Sequence, residues 1–193
     1  MAGTTRTPPV RTALTRPIDV LLAEHALHRR MLTVLERIAA HVERDGSFPA
    51  SDVARLLGYF REFVETVHHA KEDGTVYPLV MSFADDSLAE TVGELIGDHI
   101  ETKNLLHSLM LFWEPDDLLA EEREVFAELA CRYAKRLRRH MEAEEATLFP
   151  AAASLDPAAD AEILARFAAV STGRSTLAEW AALAAELEEH WIA

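Results

Sequence analysis

The chain has 193 residues, with 19 Lys+Arg against 33 Asp+Glu, a formal net charge of −14, 49% hydrophobic and 27% charged residues. That length suits one compact domain with a sizeable core. The composition argues against a disordered chain, and the charge repels DNA, RNA and anionic lipid.

No apolar run reaches the ~18–20 residues of a membrane span. The opening MAGTTRTPPVRTALTRP lacks the apolar stretch of a signal peptide, so a cytoplasmic location is expected. Cys131 is the single cysteine, which rules out an intrachain disulfide or a cysteine-built zinc site; any metal must be held by His and carboxylates. Glycine is scarce, at 7 residues, and strand-like alternation is hard to find, which points to an all-α protein.

Residues 1–16, rich in Thr, Pro and Arg, read as a flexible tail. A first amphipathic helix is expected from Pro17, with Leu21, Leu22, Leu32, Leu35 and Ile38 at helical spacing, ending at Asp45-Gly46. Ser51 is expected to cap a second helix running to about Pro78. Ser87 and Glu90 form a capping box for a third, with Val92, Leu95, Ile96, Leu105, Leu106 and Leu109, running to about Trp113. Pro115-Asp116-Asp117 opens a fourth, ending before Pro150. Within it Arg132, Lys135, Arg136, Arg138 and Arg139 read as a solvated face. Two shorter helices follow, about 157–170 and 176–191, the latter with Thr176 and Glu179 as a capping box.

Four long helices with short connections make an antiparallel up-down four-helix bundle over 17–150. Residues 151–193 form a helical extension whose docking surface the sequence does not choose. Its apolar terminal helix is compatible with a homodimer.

Five of the 9 histidines fall in two patterns. HHAKEDGTVYP in helix two matches HMEAEEATLFP in helix four: His68, Glu72, Asp73 and Tyr77-Pro78 stand against His140, Glu144, Glu145 and Phe149-Pro150, each 72 residues apart. EHALHRRM and DHIETKNL in the preceding helices place His25 before His68 and His99 before His140. Residues four apart on a helix share a face, so His68 with Glu72 and His140 with Glu144 can point, with His25 and His99, at one place in the bundle. Four imidazoles and two carboxylates are costly to bury unless satisfied, and a pair of metal ions satisfies them. Imidazole and carboxylate suit iron, zinc or manganese, and each Glu can bridge two ions. His69 and His28 are further contenders. His41, His107 and His190 project elsewhere by spacing and read as surface or packing residues.

At these residues the sequence resembles the hemerythrin family, in particular its HHE cation-binding branch, over about Ile18 to Phe149. The resemblance implies a non-haem di-iron centre at His25, His68, Glu72, His99, His140 and Glu144, with the two Glu bridging. It further implies binding of O₂ or NO, sensing of iron or oxygen, or handling of peroxide. The chain departs from the oxygen carriers at Lys103, where they have a further His, and at Glu144, where they use Asp. His69 can supply the missing ligand, or Lys103 can leave an open position. The ferritin-type pattern Glu-x-x-His occurs at Glu65 and His68 but fails at Leu137 before His140. The expected partner is therefore a small diatomic or peroxide. Competing readings are a peroxidase- or oxygenase-type oxidoreductase, an iron donor for repair of iron centres, and a structural bundle with zinc or no metal.

Overall fold

A computed structural model describes residues 16–45, 47–154 and 157–192, all helical or in turns, with no strand among them. Helix α1 is Pro17–Asp45, α2 spans 50–81, α3 is Asp86–Leu109 with a 3₁₀ turn Met110–Phe112, and α4 spans 120–153. The shorter α5, Asp160–Ser171, and α6, Leu177–Trp191, follow. The first four form the antiparallel bundle, each packing on the next and α4 closing back on α1. Of the tail expected over 1–16, only Arg16 is described, and its guanidinium pairs with Asp160 at 3.1 Å. Gly46, read with Asp45 as ending the first helix, lies outside the described residues.

Several helix starts differ from the sequence reading. Pro49, not Ser51, precedes the first turn of α2, with no side-chain cap. Asp85 caps α3 by accepting from the Leu88 N–H at 2.9 Å, so Ser87 falls inside the helix. The fourth helix begins at Ala120 instead of Pro115: Leu118 is drawn into the core first, and the Glu122 carboxylate accepts from the Leu119 N–H at 2.7 Å. Thr176 and Glu179 do form the reciprocal cap of α6.

Neither Pro78 nor Pro150 ends its helix. Each lies just past a π-type turn, Glu72–Val76 in α2 and Glu144–Leu148 in α4, after which α-helix resumes. Proline has no N–H to return to the preceding turn and crowds the carbonyl there, which a widened turn relieves. The Tyr77 and Phe149 amides then reach back five residues, to the carbonyls of Glu72 and Glu144. A further π segment, Phe60–His68, precedes His69.

The core is split. A larger cluster contains Met31, Leu35 and Ile38 of α1, Leu56 and Phe60 of α2, Leu109, and Phe126, Tyr133 and Leu137 of α4. A smaller one holds Leu21, Val80, Leu95, Leu148 and Phe149, with Ile163 and Phe167 of α5. The histidines of the repeat, His25, His68, His69, His99 and His140, fall between the two. Leu22 and Ile96, counted on apolar faces, are instead 40% and 43% exposed.

The open question of the extension is answered by α6 lying along α1, with Ala184 and Leu187 in the larger cluster and Arg30 gripping Glu188 at 2.6 and 2.8 Å. Helix α5 covers the middle of α2. Because Leu187 is 1% exposed, Leu187→Ala is expected to lower global stability by about 2–5 kcal/mol. Urea denaturation followed by circular dichroism checks this; an unmoved main transition would mean that α6 melts separately from the bundle.

Candidate metal centre

Between the two apolar clusters lie His25, His68, His69, His99, His140, Glu72 and Glu144, each 0–6% exposed. Their nitrogens converge. His25 Nε2 is 3.1 Å from His68 Nε2, and His99 Nε2 is 3.0 Å from His140 Nε2. Glu72 lies across the two pairs: Oε1 is 3.2 Å from His68 Nε2, and Oε2 is 3.4 Å from His99 Nε2. Glu144 Oε2 is 3.3 Å from Nε2 of both His25 and His140. These side chains compose two groups able to hold an ion, His25, His68, Glu72 and Glu144 in one, and His69, Glu72, His99 and His140 in the other. Glu72 is common to both.

What aims the rings is a second layer of carboxylates. Nδ1 of His25 contacts Glu145 at 2.8 Å, that of His68 contacts Glu24 at 2.9 Å, and that of His99 contacts Asp73 at 2.9 Å. Asp98 lies 3.7 Å from His140 Nδ1, and Glu65 lies 3.6 Å from His69 Nδ1. At His25, His68 and His99 the ionised carboxylate only accepts, so Nδ1 donates and Nε2 is turned inward, where a metal can take the place of its proton.

The four bundle helices share this duty in rotation. Glu24 of α1 serves the histidine of α2, Asp73 of α2 that of α3, Asp98 of α3 that of α4, and Glu145 of α4 that of α1. Each of these acids is adjacent in sequence to a residue of the centre, yet each orients a residue on a neighbouring helix. Cations hold the acids in turn: Arg29 grips Glu145 through two 2.9 Å bonds, Lys71 pairs with Glu24, and Arg136 is 2.5 Å from Asp98.

The electrostatics follow. Burial alone would lower His25 and His99, but Glu144 and Glu72 beside His25, and Asp73 and Glu72 beside His99, outweigh it and raise both to about 10. Burial likewise opposes the rise at His68, where the charge of Glu72 and the bond to Glu24 prevail. Glu72 is held well below the usual carboxylate range because its imidazole neighbours, His68 foremost, overcome its burial. His28 and His69 go the other way: burial, then the adjacent histidines, keep them neutral. Burial pushes Glu65 up to about 7 and raises the Tyr77 phenol, which donates to Glu144 Oε1 at 2.7 Å.

The seven sequence-derived candidates thus come together. His28 does not join them; it is fully buried behind His68, its Nδ1 bonded to the Tyr59 hydroxyl. His41 bonds Ser47 at 2.7 Å and His190 pairs with Asp52 at 3.0 Å, both away from the centre, and His107 is exposed. Lys103 is exposed, whereas Arg29, four residues after His25 on α1, acts through Glu145. The basic face of α4 is only partly solvated, since Arg138 also reaches Glu36 and Thr33 of α1 at 2.9 Å. Sequence reasoning missed Glu24, Glu65, Asp98 and Tyr77 as parts of the centre, and the pairing of each acid with its histidine. The signal was the recurrence of an acid beside each residue of the repeat.

The donor set fits metal. Both oxygens of Glu72, Glu144 Oε2 and His69 Nε2 are buried without a hydrogen-bond partner, and all-nitrogen and carboxylate donors suit divalent iron, zinc or manganese. The Hemerythrin HHE cation binding domain profile matches residues 16–152. The chain belongs to the hemerythrin HHE cation-binding family. No curated protein and no solved structure matches it closely enough to serve as a relative. The family match covers the four bundle helices and ends before α5 and α6, so the helices that pack behind the centre lie outside it.

Asp73 orients His99 from a side chain that is 51% exposed. Asp73→Asn is therefore expected to weaken metal binding by roughly 10- to 100-fold with little change in thermal stability. Competition with a chelator of known affinity, alongside a melting curve, checks this; unchanged metal affinity would remove Asp73 from the role.

Proposed function

We propose that the chain is a non-haem di-iron protein of the hemerythrin HHE family that binds or senses a small molecule such as O₂, NO or peroxide. The observation that carries this reading is the pair of four-residue groups that share Glu72. A carboxylate with one oxygen toward each group is suited to bridging two ions. His25 and His68 would hold one ion, and His69, His99 and His140 the other, with Glu144 facing both sides. Bound iron would supply redox change and coordination positions for a small ligand.

The protein's own contribution is geometric and electrostatic. Nδ1-bound carboxylates fix the rings of His25, His68 and His99, apolar clusters above and below exclude bulk water, and two glutamates offset only part of the charge of two divalent ions. A centre this deeply enclosed admits small molecules and excludes extended substrates, which supports ligand binding or sensing. Zinc and manganese fit the same donors less specifically.

Protein purified without chelator and reconstituted anaerobically with Fe²⁺ is expected to hold about two iron atoms per chain. Glu72→Ala and Glu144→Ala are expected to lose most of this iron, and His69→Ala to lose about half, while His41→Ala retains it. Elemental analysis against protein concentration provides the check. One iron per chain in the fully loaded protein, or equal content in all four variants, overturns the assignment.

A further inference from the structure

The two halves of the bundle place matching aromatic rings over matching histidines. Tyr77 stacks on His99 with centroids 5.3 Å apart at 21°, and Phe149, 72 residues later, stacks on His25 with centroids 5.2 Å apart at 26°. The rings are 2% and 3% exposed. What separates them is one hydroxyl, and it points into the centre: Tyr77 OH donates to Glu144 Oε1 at 2.7 Å and lies 3.2 Å from His99 Nε2. No hydroxyl faces Glu72 from Phe149, and both Glu72 oxygens are without a hydrogen-bond partner, whereas only Oε2 of Glu144 is. Two glutamates related by the repeat are therefore unequal. Glu72 can present one oxygen to each group, while Glu144 has one oxygen occupied and presents the other.

We propose that the Tyr77 hydroxyl donates its one proton to Glu144 Oε1 in the unliganded centre and turns to donate it to a small uncharged ligand when one binds on the His99 side. This rests on the two-metal reading above. With Oε1 engaged, Glu144 has Oε2 alone to offer, 3.3 Å from Nε2 of both His25 and His140, and Glu72 is the one of the two glutamates with both oxygens unpartnered. The position thus left lies where Tyr77 and His99 meet.

That corner is also the way in. An open hollow of about 360 Å³ is bounded by Tyr77 and His99 together with Ile96, Ile100, Met81 and Asp73. Ile96, Ile100 and Met81 are 43%, 59% and 46% exposed. An apolar approach with one carboxylate at its edge favours neutral molecules over anions. A ligand of this kind, such as NO, has an acceptor atom for the phenol but no charge to repel Asp73. Tyr77 thus acts as a positioning residue toward Glu144 while the centre is unliganded and as a direct partner of the ligand once it binds, its one proton serving each acceptor in turn.

The test uses the full chain loaded with Fe²⁺ and nitric oxide as the probe. In wild type, the N–O stretching frequency of the NO complex is expected to shift on exchange into D₂O. In Tyr77→Phe that isotope sensitivity is expected to vanish and NO affinity to fall roughly 2- to 10-fold, the worth of one hydrogen bond. Phe149 shows that an aromatic ring without a hydroxyl is accommodated in this setting, and a melting curve with iron analysis confirms that the variant is folded and loaded. If the variant fails to load, the wild-type isotope shift decides alone, and its absence overturns the proposal. Two irons per chain with identical NO affinity and isotope response in both proteins overturns it while leaving the di-iron reading intact. A visible phenolate-to-iron band in the oxidised wild type, lost in Tyr77→Phe, also overturns it, because Tyr77 would then be a ligand. Fewer than two irons in the wild type overturns the di-iron reading and this inference with it.

Discussion

Two imidazole nitrogens 3.1 Å apart, each ring with its Nδ1 proton committed to a carboxylate on the other side, need either a shared proton or a metal cation between them. His25 and His68 are in this position, and His99 and His140, at 3.0 Å, nearly repeat it. The rest of the molecule can be read as the means of holding these nitrogens together in a dry interior. Burial in the same place would be very costly for the glutamates alone and for the imidazolium ions alone. Together, and with a metal pair, their charges offset, which is why the polar layer can sit between two apolar clusters. Metal affinity and folding should be strongly linked as a result.

The rotation of carboxylates around the bundle explains how four helices become one device. A helix that shifts or turns carries away its own ligand and also the acid that orients a ligand on its neighbour. The extension takes part from outside. Phe167 of α5 lies beneath the Lys71 ammonium, 5.6 Å from it, and Lys71 holds the Glu24 that holds His68. Trp180 of α6 packs edge-on against Tyr59, with centroids 5.4 Å apart, and Tyr59 holds His28 behind the same His68 ring. Both short helices therefore reach His68 through two intermediate residues, and both converge on the two-histidine side.

The bundle and the residues of its polar layer were legible because they rest on periodicity and on a repeat at constant offset, signals that survive in a single sequence. The partners of those residues were not. Glu24 reads naturally as the neighbour of His25, and Asp98 as that of His99, yet adjacent residues on a helix diverge by about 100° and cannot meet; only the packing of α1 on α2 and of α3 on α4 shows whom they serve. The π turns were hidden for a related reason. Pro78 and Pro150 read as helix ends, whereas a widened turn lets each helix absorb its proline and continue. Helix caps failed where tertiary demands prevailed, as at Leu118, which is drawn into the core and delays α4 to Ala120.

The repeat is most informative where it breaks. At the 72-residue offset, Glu65, His69, Lys71 and Tyr77 of α2 stand against Leu137, Met141, Ala143 and Phe149 of α4. Whereas Val67 and Ala70 of α2 stand against the exposed Arg139 and Glu142 of α4, these four departures set a side chain that can donate, accept or carry charge on α2 against an apolar one on α4. Two of them reach into the centre, His69 as a third imidazole beside His99 and Tyr77 as the donor to Glu144. The other two support it from behind, Glu65 at His69 and Lys71 at Glu24. Helix α4 keeps the ligand pair His140 and Glu144 in otherwise apolar surroundings, which is what a scaffold for two ions requires. Helix α2 keeps the same pair and adds the groups that make the two sides of the centre unlike. On the proposed two-ion reading, that inequality leaves one side of the centre more open to a ligand than the other, and the residues responsible for it are concentrated in α2.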